Sequence, residues 1–309
     1  MAIGGVVLVA RSDASRMVEV PGARLYTESA GTGPVLVLIS GGGGDAGMYE
    51  EVVPLLADRY TVITFDRRGN SRSPFTAPDA AIDPATQADD VVAVLDAYGI
   101  DRASLFGNSG GGIVALEVLA RHGNRLVAAV VHEPPVIQLL PEDSPARQEL
   151  LNINRLAVEK SLMRGYAAFG ALTAPNMPAV LRTTAGQTVL AGASRAALTV
   201  GSMIRRISGR RPSTMTRQML NANLLLTREM PALCFDYRPD VDALRKVEVP
   251  WRLATGWDSV GRSYYLSTEA LADELGMVCE EFPGGHVAYL LQPEEFSARL
   301  SGLLGELTS

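Results

Sequence analysis

Along the first 132 residues, short β-branched and aliphatic runs alternate with stretches in which apolar residues recur at helical spacing. The pattern predicts strands over 17–20, 24–29, 35–40, 61–65, 103–108 and 127–132, with helices over 45–57, 84–98 and 110–122. After the first two, each strand is a nearly unbroken apolar run, as expected when helices cover both faces of a sheet. The same alternation resumes near residue 250. It gives a strand over 251–255, a helix over 267–275, a strand over 277–281 and a closing helix over 293–304. Strands alternating with crossover helices describe an α/β chain with a mostly parallel sheet.

The segment between these two parts reads differently. Leu150, Ile153 and Leu156, and later Met215, Met219, Leu220 and Leu224, keep helical spacing, while Pro175, Pro178, Pro212 and Pro231 punctuate the stretch. Charge changes with it: residues 141–238 hold 13 Lys/Arg against 6 Asp/Glu, and the rest of the chain holds 15 against 28. The chain therefore builds most of a sheet, leaves it for a helical excursion with a more basic surface, and returns to finish it.

Composition narrows the class. The 309 residues, 47% hydrophobic and 20% charged, supply a buried core, and no apolar run approaches the roughly 18–20 residues that a membrane-spanning helix needs. The opening ten residues lack the basic start and cleavage site of a signal peptide, so a short N-terminal extension is expected there. Cys234 and Cys279 stand far apart and there are three histidines in all, which disfavours a disulfide framework or a zinc site. A net charge of -6 carries no nucleic-acid footprint. The expectation is a soluble, cytoplasmic protein without cofactor or metal, its partner a small molecule, with no nucleic acid, no membrane span and the oligomeric state left open.

Gly107-Asn108-Ser109-Gly110-Gly111 joins the strand over 103–108 to the helix over 110–122. A serine in such a strand-turn-helix, flanked by glycines that let the two elements approach, is presented as a nucleophile. Its hydroxyl needs a base. His286, in Pro283-Gly284-Gly285-His286 after a strand, is the candidate; His122 at a helix end and His132 closing an apolar strand are poorer. A carboxylate must in turn fix the imidazole tautomer. Asp258, just beyond the strand over 251–255, is expected in that role, with Glu133, after His132, as its competitor. An acyl-transfer intermediate also needs N–H donors for its oxyanion. The N–H of Gly110 is one, and the run Gly41-Gly42-Gly43-Gly44 supplies the other, with Gly42 expected and Gly43 the alternative. That run has no Walker lysine and does not read as a phosphate loop.

With these residues in view the chain resembles the α/β-hydrolase superfamily over nearly its whole length. The stretch from Pro34 to Ser73 is similar to the family's third strand, oxyanion loop, helix and D-x-R-G-x-x-x-S turn. The resemblance implies an α/β-hydrolase fold: a mostly parallel eight-stranded sheet with helices on both faces, a core of residues 1–140 and 246–309, and a helical cap over 141–245. It also implies the chain order serine, acid, histidine, which Ser109, Asp258 and His286 satisfy. Many members begin the oxyanion loop with His-Gly; here it is Ser40-Gly41. Serine at the elbow disfavours the epoxide hydrolase and haloalkane dehalogenase branches, which place aspartate there.

The leading reading is a serine hydrolase of small or medium apolar esters or lactones, with secondary metabolism as a setting. A cyclase or lyase, or a ligand-binding protein on the same fold, is the alternative. Tyr166, Phe169, Leu225, Phe235 and Tyr237, with Gly43, are the candidate pocket residues, and Arg205 to Arg211 the basic run most simply explained as a solvated surface. Asp66, Arg67 and Arg68, in the family turn, are expected to be structural.

Overall fold

The computed structural model describes residues 14–174, 180, 183, 185–194, 196, 199 and 211–309. The N-terminal extension and all but the last residue of the basic run lie outside the described residues. Eight strands form one sheet in the order β1-β2-β4-β3-β5-β6-β7-β8. They are β1 (Ala14–Val20), β2 (Ala23–Ala30), β3 (Val35–Ile39), β4 (Thr61–Phe65), β5 (Ala103–Asn108), β6 (Leu126–His132), β7 (Trp251–Gly256) and β8 (Glu280–Phe282). β1 pairs antiparallel with β2, and β2 with β4; the pairs from β4 through β8 are parallel.

The unbroken apolar runs are explained by two cores, one on each face. Val37 and Ile39 of β3, Leu105 of β5 and Val131 of β6 join the core that includes Val91, Leu95, Ile113 and Leu116. Their neighbours Leu36, Leu38, Phe106 and Val130 join the other, with Tyr49, Phe296 and Leu300. Successive strand side chains point to opposite faces, so every position must be apolar when both faces are covered. The helices concerned are α1 (Pro84–Ala97) and α2 (Gly110–His122) on the first face, and the closing helix Pro293–Leu307 on the second.

The helix expected over 267–275 already begins at Ser263 and the first strand at Ala14, and two further elements differ for a local reason. The helix over 45–57 is instead a 3-10 turn, Ala46–Tyr49, followed by one helical turn, Val53–Leu56. Pro54 has no N–H to continue a helical ladder, which breaks the element although its apolar spacing is right. The last strand starts three residues later than expected, because Gly276 adopts φ 69° and the Met277 N–H closes back on the Ala272 carbonyl at 2.9 Å before the chain can extend.

The excursion between β6 and β7 is helical in much of its described part. It contains α3 (Pro145–Arg155), α4 (Leu162–Thr173) and α5 (Thr214–Leu220), with π-helical turns at Leu156–Lys160, Leu225–Glu229 and Pro231–Phe235. Among the described residues no helix is long and apolar enough to cross a membrane, and no group of three or more His, Cys, Asp or Glu could hold a metal ion.

His132 ends β6 fully buried among Phe106, Phe282 and Phe296. Its Nδ1 accepts from Asn108 Nδ2 at 2.9 Å, so the ring is held neutral, and burial lowers its pKa from 6.5 to about 4. Above pH 6.5 neither folded nor unfolded chain protonates this ring. Between pH 6.5 and 4 only the unfolded chain does, so stability falls with acidification. The loss over that window is expected to reach about 3 kcal/mol, read from urea unfolding at a series of pH values, and His132→Phe is expected to flatten it.

Candidate active site

Parallel pairing brings the carboxyl ends of β3 through β8 to one edge, and the candidate residues emerge there. Ser109, between β5 and α2, takes φ 55° and ψ -123°, a conformation that side chains avoid. Its N–H donates to the His132 carbonyl at 2.9 Å and its own carbonyl accepts from the Ile113 N–H at 3.1 Å, so strand and helix together impose the turn. At Gly111 an added Cβ would lie 2.2 Å from the Ile39 carbonyl oxygen, which is why α2 can start so close to β3.

His286 follows β8 and is 3% exposed. Its Nδ1 lies 2.6 Å from Glu133 Oε2, its backbone carbonyl accepts from Asn108 Nδ2 at 3.1 Å, and its ring stacks on Tyr264 with centroids 3.8 Å apart. The imidazole is therefore fixed at its Nδ1 and on one face, and the residue's backbone is fixed by Asn108. Asn108, next to Ser109, tethers the histidine loop directly to the serine turn.

The carboxylate at the histidine is Glu133, not the expected Asp258. Glu133 adopts φ 47° immediately after β6, and its Oε1 accepts the Gly256 N–H at 2.8 Å while Oε2 takes His286. Burial pushes this carboxyl up, but the hydrogen bond from His286 helps hold Glu133 below the usual glutamate range and ionised at neutral pH. Asp258 lies in the 3-10 turn Trp257–Ser259 with its side chain exposed, and only its N–H contributes, to the Gly284 carbonyl at 2.9 Å. A buried carboxylate needs donors aimed at it, and the end of β6 has them.

The glycine loop after β3 lies against the serine turn. Gly42, Ser109, Gly110 and His286 line one cavity, and Gly42, Gly43, Ser109 and His286 line a second. With Ser40 where relatives of the family often carry histidine, the loop is held by Arg67. This fully buried guanidinium donates from Nε to the Ser40 carbonyl at 2.9 Å and from Nη2 to the Gly41 carbonyl at 2.9 Å. Its remaining donors meet Gln87 Oε1 at 2.6 Å and Glu229 at 2.8 and 3.1 Å, so all five N–H groups are used. Glu229, from the excursion, also accepts from Asn70 Nδ2 at 2.8 Å. Asn221 donates to the Gly43 carbonyl at 2.7 Å and Arg217 pairs with Asp45 at 2.6 Å, so the excursion grips the loop at three points.

Of the other expected pocket residues, Tyr166, Phe169 and Leu225 line the second cavity, and Phe169 and Leu225 line the first as well. Phe235 and Tyr237 line neither; they pack on the core beneath the excursion. Leu233, Met230, Cys234 and Tyr264 also line the first cavity, and no local pattern in the sequence marks them as pocket residues.

Comparison with known proteins agrees with the architecture. A family model described as alpha/beta hydrolase fold matches residues 34–170. The chain is 28% identical over 290 residues to the uncharacterized hydrolase YraK of Bacillus subtilis (strain 168), covering 93% of this chain and 94% of that one. Its fold is similar to that of Est816, an N-acyl homoserine lactone degrading enzyme (TM-score 0.63, 23% identity, 93% of this chain and 99% of that one). It is also similar to that of the carboxylesterase CesB (YbfK) from Bacillus subtilis (TM-score 0.66, 18% identity, 94% and 91%).

Removing one partner of the Arg67–Glu229 pair leaves an uncompensated charge where both side chains are 1% exposed. Glu229→Ala is expected to cost about 3–5 kcal/mol of unfolding free energy in urea titration, and Glu229→Gln, which retains acceptor oxygen for Arg67 and Asn70, is expected to cost less.

Proposed function

We propose that this chain, which has the alpha/beta hydrolase fold, is a serine hydrolase of small to medium apolar esters or lactones, acting through Ser109, His286 and Glu133. The observation that carries this reading is the strained Ser109 turn sharing a cavity with an imidazole whose Nδ1 is bound to a buried, ionised carboxylate. With Nδ1–H donated to Glu133, His286 Nε2 is left as the basic nitrogen. It takes the Ser109 proton as Oγ attacks the substrate carbonyl carbon and the carbonyl π pair moves onto oxygen.

The oxyanion so formed is met by the N–H groups of Gly42 and Gly110. Gly110 opens α2, so the helix dipole adds to its donor, and a donor of this kind typically contributes about 3 kcal/mol to lowering the barrier. Collapse of the intermediate expels the leaving oxygen, which receives the proton from Nε2. Water, deprotonated by the same nitrogen, then attacks the acyl carbon; the bond to Ser109 Oγ breaks, Nε2 returns the proton to Oγ, and the acid is released. Glu133 and the stacked Tyr264 face stabilise the imidazolium that forms twice in this cycle. The excursion over 141–245 acts as the cap, closing the cavity and holding the oxyanion loop through Glu229, Asn221 and Arg217.

A fluorophosphonate probe followed by peptide mass mapping is expected to label Ser109, and Ser109→Ala to abolish labelling and ester turnover. Glu133→Gln is expected to lower kcat by roughly 10³–10⁴-fold, as loss of the orienting carboxylate does elsewhere. Asp258→Asn is expected to leave kcat within about twofold. The reverse ranking of these two variants would remove Glu133 from the mechanism.

A further inference from the structure

Resting on the hydrolase reading above, we infer that the substrate is an open-chain ester with a short apolar acyl group and a larger apolar alcohol. Two cavities meet at Ser109, and Phe169 of α4 stands between them. Its ring lies against the oxyanion loop so closely that a Cβ at Gly42 would be 2.7 Å from Phe169 Cζ, and it lines both spaces. The two cavities share Gly42, Ser109, Phe169, Thr173, Leu225 and His286 and otherwise diverge.

Chemistry assigns the sides. The leaving oxygen must face His286 to be protonated, so the alcohol lies toward the residues that follow it. Val287, Tyr289 and Leu290 line the second cavity, of about 400 Å³, and not the first. That cavity also reaches solvent, since Met215 and Leu290 on its wall are 72% and 39% exposed. An exit is required there, because the alcohol departs while the acyl group is still bonded to Ser109.

The acyl group is left with the first cavity, which is about 40 Å³ and walled by Pro135, Leu150, Leu172, Met230, Leu233 and Cys234. At about 10–15 Å³ for each water-sized group, roughly three heavy atoms fit. The polar groups on its wall are already engaged: Glu229 accepts from Arg67 and Asn70, the Thr173 hydroxyl donates to the Phe169 carbonyl and the Tyr264 hydroxyl to the Leu172 carbonyl. Arg67 reaches the wall with all five donors already spent, and burial raises the Cys234 thiol to about 12, so it stays protonated and acts as an apolar surface. A lactone joins its acyl and alcohol carbons in one ring and cannot place them on opposite sides of Phe169.

The test uses the full chain and two ester series that change one side at a time. Ethyl acetate, butanoate, hexanoate and octanoate vary the acyl group, and the acetates of ethanol, hexanol and 2-phenylethanol vary the alcohol, with δ-valerolactone beside them. The expected result is a fall in kcat/KM of at least about tenfold from butanoate to octanoate, no such fall across the acetates, and slower turnover of the lactone than of hexyl acetate. Leu233→Ala, with Leu172→Ala as a second variant should the first fail to fold, is expected to move the acyl optimum to longer chains while leaving the acetate series in the same rank order. Octanoate turned over as well as butanoate, the lactone preferred to hexyl acetate, or labelling of Ser109 by a fluorophosphonate with neither series hydrolysed would each overturn the assignment. Absence of both the Ser109 adduct and all turnover would instead overturn the hydrolase reading beneath it.

Discussion

Parallel strands end on the same side, and that constraint organises this molecule. From β3 to β8 the carboxyl ends form one edge, so the segments that follow them are neighbours however far apart they lie in the chain. The glycine loop follows β3, Arg67 follows β4, Ser109 follows β5, Glu133 follows β6 and His286 follows β8. Open α/β sheets bind ligands at this edge for the same reason. Two apolar cores, one on each face, hold the strands in register.

Holding the edge residues in place requires desolvating charges, and each buried charge is met by several donors or acceptors. Glu133 takes a backbone N–H and an imidazole; Arg67 is bound on all five donors. The second network has a consequence for the proposed mechanism. Arg67 holds the Ser40 and Gly41 carbonyls of the glycine loop and Glu229 of the excursion at once, so excursion and loop are one mechanical unit. Movement of the segment around Glu229 away from the core would release the loop that carries the Gly42 N–H. Buried ion pairs add little net stability against apolar packing, so the value of this one lies in fixing a geometry.

The sequence made much of this legible. The serine turn, the histidine loop and the glycine run announce themselves through local composition, because each needs glycine or a special backbone conformation within a few residues of the functional group. The identity of the carboxylate was not legible in the same way. Glu133 and Asp258 both follow a strand and both fall between Ser109 and His286 along the chain, so neither pattern nor order separates them. What separates them is the left-handed backbone at Glu133, which turns the side chain under the histidine loop, and the 3-10 turn at Asp258, which turns its side chain to solvent. The pocket was half legible: aromatic residues of the excursion were visible as candidates, but which of them faces the cavity depends on how its helices dock.

By itself the sequence determined the α/β alternation, the two-sided burial of the strands and the position of the helical excursion, since these follow from the period of apolar residues, which is local. It also determined that a serine and a histidine would stand at strand ends. Only the tertiary structure decided which carboxylate meets the imidazole, how a loop without His-Gly is held, and where Phe169 divides the space above Ser109. Those outcomes depend on distances between residues as remote as Arg67 and Glu229, set by packing and by the need to pair every buried charge, and no periodicity along the chain encodes them.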